Sequence, residues 1–177
     1  MFKRDIVAAF EKVSDQWITD FEVYSDELLY HKSSENEWCL AELYDHIMRV
    51  ARTYQIPNFY KCINGVPESG KPKNAKGYLV FNLNILPYRK IRMQSFPQKI
   101  VTDFTPQIRK RTELYADFEY FRKEVIQVSK ELETVDYTIK NRHPFFGAIN
   151  ARDWFALIEI HMRHHHPQKK RLENTTV

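Results

Sequence analysis

The sequence predicts an all-α protein, a four-helix bundle with a long crossover loop between its second and third helices. Three observations predict it. Apolar residues recur in steps of three and four along four long stretches, the stripe of a helix lying on a core. Only 4 of the 177 residues are glycine, too few for the tight turns of an all-β chain. Three of those glycines and three of the 8 prolines fall between Asn64 and Pro87, which marks one long connection.

The first stripe is Ile6, Phe10, Val13, Trp17, Phe21, Tyr24 and Leu28, and it predicts one helix from about Ile6 to Tyr30. The second opens after Trp38 and carries Leu40, Leu43, Tyr44, Ile47, Val50, Ala51 and Tyr54. Cys39 followed by Glu42 resembles a capping box with Cys in the usual Ser position. Pro57 is expected to kink or end this helix. The crossover follows, with a short strand or turn expected at Tyr78–Phe81. Thr105-Pro106 reads as a cap with proline at the first helical position, opening the third stripe. That stripe is Leu114, Phe118, Phe121, Val125, Val128 and Leu132. After a connection from Thr134 to Ile149, Asn150 and Asp153 open the fourth helix, whose stripe is Trp154, Leu157, Ile158, His161 and His165.

Composition narrows the function classes. Lys plus Arg number 27 and Asp plus Glu 23, a net charge of +4. The densest basic runs are Tyr88–Arg92, Arg109–Arg111 and Lys169–Arg171; acidic residues flank most of them, and they read as solvated helix faces. No larger positive face or base-reading motif points to nucleic acid. No apolar run approaches the ~20 residues of a membrane helix. The charged start, Met1 to Asp5, has no apolar stretch behind it, so no secretory signal is expected. Two cysteines make no disulfide framework. The expectation is one soluble, cytoplasmic domain spanning 1–177.

The histidines carry the chemistry. Four of the seven lie within His161–His166, interrupted by Met162 and Arg163, so the cluster is no purification tag. At ~100° per residue, His161 and His165 fall within ~40° of each other, in line with Trp154 and Ile158. Two imidazoles on a buried face need partners, because an unsatisfied buried polar group costs ~1–3 kcal/mol. Carbonyls or waters are one solution. A divalent metal is the other, and an i,i+4 His pair is the usual helical half-site. His164, three residues after His161, is a substitute candidate for one of the pair. His46, at the border of the second stripe, is the best third ligand from another helix. Three neutral histidines would leave coordination positions open, a catalytic rather than a structural pattern. Pro167 is expected to kink or stop the last helix, leaving His165 in a final turn and Gln168 off the site-facing side.

These residues also carry a resemblance. Trp38-Cys39-Leu40-Ala41-Glu42-Leu43-Tyr44-Asp45-His46 resembles the W-[ST]-x-x-E-x-x-x-H segment of the DinB/YfiT-like superfamily of metal-binding four-helix bundles. His143-Pro144-Phe145-Phe146-Gly147, then Trp154, His161, His165 and Gln168, resembles its H-P-x-F-G … W … H-x-x-x-H-x-x-Q ending. Residues 57–135 match only as helix pattern. Cys39 departs from the usual Ser or Thr, and His164 replaces a frequent Arg.

The resemblance implies one divalent ion on His46, His161 and His165, zinc or nickel first, with iron and manganese also compatible with imidazole. It implies a thiol S-transferase like the bacillithiol transferases, acting on a small-molecule thiol and an electrophile. A metal-dependent hydrolase and a non-catalytic metal- or ligand-binding bundle are the alternatives. Homodimerisation is a family-level expectation. Glu42, one turn before His46, is a candidate base or outer acceptor as well as a cap. His143 is a candidate to approach the metal from the loop before the fourth helix.

Overall fold

The computed structural model describes residues 4–65, 72–86 and 97–175. Among them the chain is mostly helical, with one small hairpin. Residues 66–71 of the expected crossover, and the Tyr88–Arg92 run, lie outside the described residues.

Helix α1 (Ile6–Val23) is capped by Asp5, whose Oδ1 accepts from the N–H groups of Val7 and Ala8 at 3.0 Å each. The single helix expected to reach Tyr30 is broken. Tyr24 is extended, and the Ser25 hydroxyl caps a new short helix, α2 (Asp26–Tyr30), by accepting from Leu28 N at 3.1 Å. Helix α3 (Leu40–Val50) runs through a π turn at Ala51–Gln55 into α4 (Ile56–Ile63). Pro57 therefore does not end the helix. A π turn just before a proline is where a helix absorbs the clash of the ring with the carbonyl four residues back.

Between the second and third expected helices lie two short helices, the first of them inside the expected crossover. The strand or turn expected at Tyr78–Phe81 is the end of α5 (Ala75–Phe81), capped by Asn74 Oδ1 on Gly77 N at 3.0 Å. Helix α6 (Gln98–Phe104) ends where the third long helix was expected to begin. Thr105 precedes a proline, which pushes it into extended conformation, so it closes α6 instead of opening a helix. Helix α7 (Arg111–Ser129) then starts and ends in a 3-10 turn at Lys130–Glu133. The connection before the last helix holds an unexpected antiparallel pair, β1 (Lys140–His143) and β2 (Gly147–Asn150), with His143 opposite Gly147. Helix α8 (Ala151–Glu173) is capped as expected, Asn150 Oδ1 accepting from Asp153 N at 3.1 Å.

The long helices share one core. Helix α1 packs on α7 and α8, α3 on α7 and α8, and α4 on α8. Tyr44 sits at its centre, with ring centroids 5.0 Å from Trp17, 5.1 Å from Phe21 and 5.1 Å from Phe118. Its hydroxyl is satisfied by donating to the Trp17 carbonyl at 2.6 Å. No helix among the described residues is long and apolar enough to cross a membrane.

One member of an expected solvated run proves buried. Lys169 is 1% exposed, and its Nζ pairs with Asp20 at 2.5 Å and with Glu173. It also stands 5.6 Å from the ring centres of Trp17 and Tyr24. Together with buried Leu172, it fastens the last turns of α8 into the fold.

The hairpin turn is fastened to the start of α5. Asn74 donates its backbone N–H to the Phe146 carbonyl at 3.0 Å and its side-chain amide to the Phe145 carbonyl at 2.9 Å. Gly147 sits there at φ +75°, and a Cβ would overlap the Pro72 carbonyl oxygen. Gly147→Ala is therefore expected to lower the unfolding free energy by ~1–3 kcal/mol, read as an earlier urea midpoint at unchanged m-value.

Candidate metal centre

His46 occupies α3, buried at 3% exposure. The start of that helix is set by the expected capping box, with Glu42 Oε2 accepting from Cys39 N at 3.0 Å. The His46 Nδ1–H donates to the Phe104 carbonyl at 2.8 Å. Phe104 closes α6, so its carbonyl has no donor within the helix and is free to accept. With its proton held on Nδ1, His46 presents a bare Nε2.

His161 and His165 are one turn apart on α8, their Nε2 atoms separated by 3.1 Å. Helix α8 continues past Pro167 to Glu173, so the proline does not stop it. Tertiary packing decides it: proline costs one hydrogen bond, but buried Lys169 and Leu172 hold the turns beyond. Gln168 consequently stays on the site side, and its Oε1 accepts from His165 Nδ1–H at 2.9 Å. His165, like His46, has its outer nitrogen engaged, which leaves its Nε2 as an acceptor facing His161 Nε2.

The three rings converge. Ring centroids stand 5.2 Å (His46–His161), 5.0 Å (His46–His165) and 4.7 Å (His161–His165) apart. One ring nitrogen from each lies within 4.8 Å of the others, so the three can hold a metal ion. The 3.1 Å separation of the α8 pair suits one cation, since ligand atoms at ~2.0–2.1 Å from a common ion lie about 2.9–3.4 Å apart. His161 Nδ1 is buried without a hydrogen-bond partner among the described residues.

A family model described as the DinB superfamily matches residues 8–168. The chain belongs to the DinB superfamily. No curated protein matches it.

Burial governs the charge state of this DinB centre. It pulls the His46 pKa down to about 4, the Phe104 carbonyl offsetting part of the effect. It pulls His165 down to about 3, with the neighbouring His46 adding to the fall. His161 is lowered by burial and then by His165 and His46. All three rings are thus neutral at neutral pH, the state in which imidazole binds a metal without first losing a proton.

The other candidates are placed elsewhere. Glu42 is occupied: besides the cap, Oε1 accepts from Lys32 Nζ at 2.9 Å, and the outer acceptor for His46 is the Phe104 carbonyl. His143 is buried in the hairpin, stacked on Phe146 at 4.5 Å and 5.3 Å from Trp154, its Nδ1 accepting from Phe145 N at 3.1 Å. His164 abuts His165 at 5.1 Å between centroids, but its nitrogens are not among those that converge. Trp38 lies beside the centre, 4.7 Å from His46. The Phe104 carbonyl carries no residue-type signal, so sequence reasoning had no means of finding it.

Burial also holds the His143 pKa down to about 3. An unfolded imidazole protonates near pH 6.5 and the folded one resists, so acid favours the unfolded state. Stability is therefore intact above about pH 6.5, and each unit below removes up to ~1.4 kcal/mol per such histidine until its folded pKa is reached. Metal-free protein is expected to melt progressively earlier from pH 6.5 to pH 4. His143→Phe should flatten that slope by about one histidine's share.

Proposed function

We propose that this chain is a divalent-metal-dependent thiol S-transferase of the bacillithiol-transferase kind, built on a four-helix bundle. His46, His161 and His165 are its metal ligands. The observation that carries the reading is the set of three neutral imidazoles whose inner nitrogens face one another while two outer ones are held by Phe104 and Gln168. A cation would replace the 3.1 Å contact between His161 Nε2 and His165 Nε2 and take all three inner nitrogens at once.

Zinc or nickel suits an all-imidazole set. When bound, the ion would supply Lewis acidity that favours the thiolate form of a small thiol at neutral pH. The chain's own residues contribute position and environment. Three neutral ligands leave the ion's charge uncompensated, which favours an anionic partner in the site. The Trp38 ring beside His46 offers an apolar wall for the carbon skeleton of an electrophile.

The thiol is expected to come from outside the chain. Cys39 and Cys62 are both buried, and burial pushes the Cys39 thiol up, away from thiolate. We assign Glu42 no role as base, since Lys32 Nζ and Cys39 N engage both its oxygens.

Untagged protein supplied with zinc or nickel is expected to hold close to one ion per chain. It should then speed conjugation of a small thiol with a chromogenic aryl halide. His46→Ala and His161→Ala should each lose more than about 100-fold of that rate, exceeding what removal of a supporting partner usually costs. Ester cleavage without added thiol would assign a hydrolase instead. Wild-type protein that takes up no zinc, nickel, iron or manganese would overturn the metal reading.

A further inference from the structure

The residue before the first ligand has a job of its own. Asp45 is 3% exposed, and its Oδ2 accepts from Gln107 N at 2.8 Å and from Arg49 Nε at 2.5 Å. Its Oδ1 lies 3.7 Å from Arg109 Nη1. Arg109 continues to Asp117 Oδ2 at 2.5 Å, Asp117 to Arg52 Nη1 at 2.9 Å, and Arg52 Nε to Glu124 at 2.7 Å. Three carboxylates and three guanidiniums thus alternate in one chain. It joins α3, the π turn, the α6–α7 connection and α7.

The placement of that chain matters more than its charge. Phe104, whose carbonyl holds the His46 proton, ends a seven-residue helix that is too short to keep its own orientation. The connection after it includes Pro106, which has no N–H to give. Gln107 is the first residue beyond that proline, and its N–H goes to Asp45. The far end is held separately, Tyr30 donating its hydroxyl to the Arg109 carbonyl at 2.9 Å. Consecutive residues of α3 therefore grip the same crossing segment, His46 at Phe104 and Asp45 at Gln107.

We propose that Asp45 is a positioning residue for the metal centre. By fixing Gln107 it keeps the Phe104 carbonyl against His46 Nδ1, and so keeps His46 Nε2 bare and aimed at the α8 pair. This role rests on the metal reading above and goes beyond it, because the Asp45 carboxylate hydrogen-bonds Gln107 and Arg49 and not a ligand ring. An aspartate fits the place because one ionised oxygen accepts the backbone N–H and a guanidinium together.

The test is a double-mutant cycle on metal affinity, measured by chelator competition with nickel and zinc on the full chain. Asp45→Ala is expected to weaken binding about 10–100-fold, the usual range for partners that orient a ligand. Asp45→Asn keeps an oxygen for Gln107 and should recover affinity to within about fivefold of wild type. Glu124→Gln, at the other end of the ion-pair chain, should stay within about twofold. In a His46→Ala background the Asp45→Ala change should add less than about twofold, because its effect runs through His46.

Should Asp45→Ala not fold, Gln107→Pro deletes the same N–H while sparing the ion pairs, and carries the same expectation. Equal affinity for wild type and the tested variant overturns the role of Asp45 alone. So does an undiminished Asp45 effect when His46 is absent, which marks general loosening. Wild-type protein that binds neither metal overturns the metal reading, and this role with it.

Discussion

The structure turns on keeping three imidazoles neutral and aimed at one another, His46 buried and the α8 pair half-buried. Each lone pair that faces another without a cation or a proton between them works against folding, by roughly the ~1–3 kcal/mol of an unsatisfied buried polar group. The rest of the fold makes that arrangement tolerable. Aromatic packing around Tyr44 supplies a core whose burial outweighs it, with Trp17, Phe21 and Phe118 all in ring contact. The outer nitrogens of His46 and His165 are satisfied from segments that have to be placed for the purpose. Two irregularities follow from that demand. Helix α6 ends at Phe104, exposing a carbonyl, and α8 persists beyond Pro167, delivering Gln168.

The long helices were legible because each lies along one core for several turns, so burial leaves a period of three to four in the sequence. The stripes from Ile6, Leu40, Leu114 and Trp154 fall mostly on α-helices, with Tyr24 at a break, Ala51 and Tyr54 in the π turn and Leu132 in the 3-10 turn. What escaped was decided by local competition or by distant packing. The break at Tyr24 comes from a serine hydroxyl capping a new turn in the middle of a continuous stripe. Thr105-Pro106 has the composition of a helix start, yet the restriction on a residue before proline makes it a helix stop. The hairpin at Lys140–Asn150 has strands of four residues each, too short to show an alternation. Lys169 sits in a run of cations that looks solvated, and only the carboxylates of Asp20 and Glu173 explain its burial.

The centre shows the same division between side chains and backbone. His161 and His165 announce themselves by spacing on an apolar stripe, and His46 by its place beside a second one. Their supports do not. A backbone carbonyl has no identity in the sequence, so Phe104 could not be chosen over any other residue between the second and third stripes. Glu42 had the right spacing to reach His46, but the N–H of Cys39 and the ammonium of Lys32 take its oxygens first. Spacing along a helix states which groups can meet. Competition among donors and acceptors states which of them do.

The centre is assembled from parts far apart in the chain, at residues 46, 104 and 161–168. A shift of α6 by one residue would turn its last carbonyl by ~100° and leave His46 Nδ1–H without an acceptor. The ring could then flip and present the wrong nitrogen, with every ligand still present in the sequence. Packing alone guards poorly against such a slip, since one face of a seven-residue helix resembles the next. A directional hydrogen bond to a fixed backbone atom guards well. Asp45 N-terminally adjacent to His46 supplies it, because any movement that carries Phe104 away from the ring must also break the Gln107 N–H from the carboxylate. The aim of the His46 ring is thereby tied to a register, and the register to a buried charge that cannot leave its arginines without loss.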